Sequence, residues 1–238
     1  MAWFAVRSPV AQDEQAWIEE SFAWLVDQFG DDVARRPIVE PTRAHFPIAG
    51  FAGETGVRSV FDLVSARMAI PAGSVELDYV AANPDGRRRW QHAYRGPAGH
   101  YHEESGRPVV TVYGDQTASP TTLVATLAHE LGHVRLLGEG RIAEDRRDGE
   151  PLTDLLTVVF GYGIFTANAA FDFTADAAGW ESQRLGYLTE QMYGYALARY
   201  GLLRGEHDPA WAGHLDTNPR HYMRQALRYL RPEDRPSR

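Results

Sequence analysis

The sequence predicts an α+β fold, a small mixed sheet followed by helices, and three observations predict it. The most strand-like segments, VELDYV at 75–80 and PVVTVY at 108–113, lie in the middle of the chain. From residue 120 onward the apolar spacing turns helical and stays so. Strands first and helices after is the order of an α+β chain, not of an alternating β/α one.

Taken in order, residues 12–29 carry Trp17, Phe22, Trp24, Leu25 and Phe29 at helical spacing, and Gly30 ends the run. Those aromatics are expected to pack in the core, where their large area is best buried. Residues 31–53, with prolines 37, 41 and 47 and no clear period, read as a long connection, and a second helix is expected at 57–69. After the strand at 75–80, AANPDG at 81–86 reads as a turn and RRWQHAY at 88–94 as the return strand. GHYHEE at 99–104 is a polar strand. Helices are expected near 120–137, 150–168, 181–204 and 219–230, with RPEDRPSR a frayed tail. The expected division is an N-terminal helical extension and connection over 1–53, a catalytic-type domain over 54–230 and a flexible tail over 231–238.

Composition narrows the function classes. The 238 residues include no Cys, which excludes a disulfide framework, a thiolate zinc site and a Cys nucleophile. A formal charge of -8 argues against non-specific nucleic-acid binding, which needs phosphate-neutralising surface. The N-terminus lacks a basic start followed by an apolar stretch, and the longest apolar run, Leu155 to Phe165, falls short of the roughly 20 residues of a bilayer span. A soluble, cytoplasmic protein with neither membrane nor nucleic acid as partner is expected.

The chemistry is concentrated in SPTTLVATLAHELGHVRLLG, residues 119–138. Ser119 before Pro120 is a helix start, and Gly138 a plausible stop. His129 and His133, four apart, share one helix face and can converge on one ion. Glu130, one step round, can touch water at that ion without being a ligand, the division of labour of a hydrolytic zinc site. Two histidines leave such a site under-coordinated. Glu150, at the start of the next expected helix, can complete it, and Asp154, one turn on, can accept the free N–H of a ligating His. Asp154 itself, Glu139, Glu144, Asp145 and Asp148 are alternative third ligands, although the charged run GEGRIAEDRRDGE reads most simply as a solvated loop.

HELGH followed by E-x-x-x-D on the next helix resembles the gluzincin metallopeptidases, the thermolysin-like clan, over about residues 108–170, with a somewhat shorter stretch between the two motifs than many members have. AHELGH is also similar to peptidases linked to the cleavage of phage repressors and stress regulators. The resemblance implies a zincin-like metallopeptidase domain, Zn2+ as cofactor, His129, His133 and Glu150 as ligands, and Asp154 as the partner of His129. It implies Glu130 as general base and a peptide or protein as substrate, added to an exposed sheet edge, either GHYHEE or PVVTVY. Relatives place a Tyr or His from a later helix on the oxyanion. Tyr187, Tyr193, Tyr195, His214, His221 and Tyr222 are available here, with Tyr193 and His221 foremost.

Other readings stand beside this one. His100 and His102, on one side of a strand, form an H-x-H pair but read as surface. Arg87–Arg89 and Arg146–Arg147 read as solvated loops, and the helix at 12–29 can cover the cleft. A non-catalytic, zinc-bound helical interaction domain and a metal-dependent hydrolase of non-peptide amides or esters are the rival functions.

Overall fold

The HELGH helix, α3 (Pro120–His133), forms where its caps place it. The Ser119 Oγ accepts from the Thr122 N–H at 3.0 Å, and Pro120 sits in the first turn, where a missing N–H costs nothing. Every residue from Leu123 to His133 is buried, so α3 is enclosed on all sides. The computed structural model describes residues 6–81, 99–114, 119–176 and 188–231. The return strand expected at 88–94, Arg87–Arg89, Tyr187, the first part of the helix expected at 181–204 and most of the tail lie outside those residues. Within them the architecture is mixed α+β, with a three-stranded sheet and seven α-helices.

Against α3 pack α2 (Gly53–Arg67), strands β2 (Gly99–Glu104) and β3 (Arg107–Tyr113), α4 (Gly149–Val159) and α5 (Gly163–Asp176). Strand β1 (Glu76–Val80) pairs parallel with β3, Leu77 opposite Val110, and β2 pairs antiparallel with β3, His100 opposite Thr111. PVVTVY is therefore the central strand, and GHYHEE is an edge strand among the described residues. Ser105 and Gly106 join β2 to β3 with φ of 52° and 76°, the two positive values of a type I′ hairpin turn.

Helix α1 (Gln12–Phe29) buries Ile18, Phe22 and Leu25 in the same core as Leu127 of α3, with Trp17, Trp24 and Phe29 partly buried against it. It packs on α4 and on α6 (Glu190–Leu203), where Tyr195 Oη and Arg199 Nε donate to the two Glu19 carboxylate oxygens at 2.7 and 2.8 Å. Helix α7 (Thr217–Leu230) pairs with α6. Among the described residues no helix is long and apolar enough to cross a membrane.

Two boundaries differ from expectation for physical reasons. The HELGH helix does not stop short of Gly138; it widens into a π turn over Val134–Gly138. The single helix expected at 150–168 is two, α4 and α5, broken at Gly161. That residue has φ +87°, its carbonyl accepts from the Val39 N–H at 2.9 Å, and a Cβ there would stand 2.6 Å from the Pro37 carbonyl oxygen. The proline-bearing connection thus returns to pack across the break. Gly161→Ala is expected to cost about 3 kcal/mol through left-handed strain plus the clash, read as a lowered urea midpoint with an unchanged m-value.

Candidate metal centre

Helices α3 and α4 approach closely because HELGH contains a glycine. A Cβ on Gly132 would lie 2.8 Å from the Thr153 Cγ2 of α4. Across that contact α3 presents His129, Glu130 and His133, and α4 presents Glu150, Thr153 and Asp154. The two imidazole rings stand nearly perpendicular, 85° apart with centroids at 4.8 Å.

Three donor atoms converge. His129 Nε2 lies 3.1 Å from His133 Nε2 and 3.0 Å from Glu150 Oε2, and His133 Nε2 lies 3.5 Å from the same oxygen. Tetrahedral ligands at zinc distances stand about 3.3 Å apart, close to the separations of these three donors. They form a group that can hold a metal ion. Asp154, buried, accepts from His129 Nδ1 at 2.8 Å and from the Leu188 N–H at 2.9 Å through its other oxygen. A proton held on Nδ1 by Asp154 is the arrangement that would leave Nε2 to a metal ion.

Glu130 is 4% exposed and lies in the same cleft wall without belonging to the donor group. Strand β2 passes directly over it. A Cβ on Gly99 would meet the Glu130 Cγ at 2.8 Å, so only glycine lets the backbone come this close. The cleft, about 140 Å³ in volume, is walled on one side by the triad and Glu130, and on the other by Gly99 to Tyr101 and by Leu137 of the π turn. The Tyr101 ring lies over that of His133, 6.1 Å between centroids and 24° between planes. Its phenol donates to Glu103 and is pushed up to about 12 by burial and then by the Glu103 charge.

The alternative carboxylates are engaged or exposed. Glu139 pairs with Arg135 and Arg141, at 2.6 and 2.8 Å. Asp148 accepts from Arg146 and from the Trp17 indole, which hold it down at about 2, and Glu144 and Asp145 face solvent. Tyr193 is buried in α6, and His221 is exposed on α7 with its ring against Tyr222; neither lines the cleft. Tyr195 donates to Glu19, His214 pairs with Glu40 at 3.2 Å, and Tyr222 receives Gln191. No described residue of α1 lines the cleft. Sequence reading missed Gly99, Tyr101, Leu137 and Thr153. Of these only Gly99 carries a local signal, a glycine opening a strand.

Comparison with protein-family models, with curated proteins and with solved structures finds no match in any of the three.

The charges of the metal-free site have a pH signature. Burial pulls His129 down, but hydrogen bonds to Asp154 and Glu150 outweigh it and raise the imidazole well above its ordinary 6.5. Burial pushes Glu150 up, yet hydrogen bonds from His129 and His133 hold it well below its ordinary 4.5. A raised His stabilises below its unfolded value and loses that stability as pH climbs through the folded one; a depressed Glu stabilises above its unfolded value and loses it as pH falls. Chelator-treated protein is therefore expected to be most stable between about pH 4.5 and 6.5 and to weaken on either side, measured as the urea midpoint across pH.

Proposed function

We propose that this chain is a zinc-dependent hydrolase, a metallopeptidase cleaving peptide bonds, with a zincin-like arrangement of sheet edge, HELGH helix and carboxylate helix. The observation that carries the reading is Glu130. A buried carboxylate beside the donor triad, and outside it, is expensive to maintain. A purely structural site has no use for it, which weighs against the non-catalytic domain.

His129, His133 and Glu150 would hold the ion, with Asp154 fixing the tautomer of His129. Zinc in that position supplies Lewis acidity and lowers the pKa of water toward neutrality. The Glu130 carboxylate takes a proton from the attacking water and delivers it to the leaving amine. Strand β2 accounts for a peptide as substrate. The two-residue turn makes Glu104 and Arg107 a hydrogen-bonded pair, so by alternation the backbone groups of Gly99 and Tyr101 point away from β3, over the cleft. An extended chain can add there.

Elemental analysis joined to an activity screen tests this. Wild type and Glu130→Gln are expected to carry one zinc per chain, and His133→Ala and Glu150→Ala to lose it. Glu130→Gln is expected to hydrolyse peptides at least ~100-fold more slowly. Zinc retention with turnover of small amides or esters but of no peptide would move the substrate class. Absence of zinc from wild type offered the metal would end the reading.

A further inference from the structure

His129 Nδ1 is held by a carboxylate, Asp154, whereas the charged group near His133, Glu150, lies on its Nε2 side. What faces His133 Nδ1 is the Thr153 hydroxyl, at 3.4 Å. Thr153 is fully buried on α4, three residues after Glu150, and its Oγ1 lies 2.8 Å from the Gly149 carbonyl oxygen. A carbonyl only accepts, so the hydroxyl proton goes to Gly149, in the ordinary back-bond of a helical threonine. The hydroxyl is then left with lone pairs alone to offer His133. The contact is a hydrogen bond only if His133 carries a proton on Nδ1, the ring nitrogen turned away from the triad.

We propose that Thr153 is a positioning residue for the metal centre: its hydroxyl, turned by the α4 backbone, sets the tautomer and the ring orientation of His133. This rests on the metal-binding reading of the site. The same side chain has a separate packing task, because its methyl fills the space left by the missing Cβ of Gly132. The two tasks reside in different atoms and can be separated. Tyr101 lies over the His133 ring and restrains its tilt, but an aromatic face cannot choose between two ring nitrogens.

The test uses two substitutions of the full chain. Thr153→Val keeps the shape and removes the acceptor; Thr153→Ser keeps the acceptor and removes the methyl. Zinc affinity is measured by competition with a chromophoric chelator, thermal unfolding on the metal-free proteins, and the protonated nitrogen of His133 by its ¹⁵N shifts without metal. At 3.4 Å the bond is long, so the loss expected for Thr153→Val is about tenfold in affinity, the low end for an outer partner of a ligating His. Its unfolding temperature should scarcely change. Thr153→Ser should bind zinc within about twofold of wild type yet unfold about 3 °C lower. His133 should be protonated on Nδ1 in wild type and Thr153→Ser, and not in Thr153→Val.

Wild-type affinity in Thr153→Val, affinity losses that merely track unfolding temperature, or an Nδ1 of wild-type His133 that carries no proton would each overturn the assignment while leaving the metal site standing. Failure of wild type to take up zinc would overturn both, and that measurement comes first.

Discussion

The structure turns on one expensive act, enclosing a helix that carries two imidazoles and a carboxylate. Each of these groups loses water when α3 is buried on every side, and each must be repaid by a partner or held for use. Those partners cannot come from α3 itself. Helix α4 brings Asp154 to His129, Glu150 to both imidazoles and Thr153 to His133. Its approach is limited by the smallest residue at the crossing, Gly132. Even the far oxygen of Asp154 is occupied, by the backbone of Leu188 at the entrance to α6. The polar residues of one helix thus dictate the spacing of the next and the path of a third.

The opposite wall follows different rules. Strand β2 belongs to a sheet whose other face-packing residues, Leu77, Val110 and Val112, are buried and apolar. Where it passes over Glu130 it has no side chain at all, and where it passes His133 it has an aromatic ring. One side of the cleft is built from charged and ligating groups, the other from backbone and a flat ring. The π turn after His133 adds Leu137 to that second side. Such turns distort a helix locally and recur where a side chain has to be re-aimed.

What the sequence could and could not disclose follows from the range of the forces involved. Ser119, Pro120 and the four-residue spacing of His129 and His133 act within one helix and are readable from the string. Glu150 and Asp154 are readable too, because first-turn placement and a four-residue spacing put them on one face of α4. The intervening carboxylates were ambiguous only until their partners were placed. Asp148 is claimed by Trp17, and Glu139 by two arginines. At Gly161 the string offers only a glycine; the Pro37 carbonyl of the distant 31–53 connection, 2.6 Å from where a Cβ would stand, is not readable from it. Thr153 and Tyr101 act across the gap between elements, and periodicity says nothing of what stands opposite.

The contact between Trp17 and Asp148 links residues 131 apart, and Glu19 reaches Tyr195 and Arg199 over 176 and 180 residues. During synthesis α1 therefore leaves the ribosome long before α4 and α6, against which it packs, exist. Its apolar stripe stays uncovered until α4 and then α6 emerge, and closing loops of that length carries an entropy that only the finished core returns. The Trp17 contact anchors Asp148, just ahead of Glu150. A chain cut short before Leu188 and α6 would carry the HELGH motif in full and lack both the backbone N–H that holds Asp154 and the helix packed on α4.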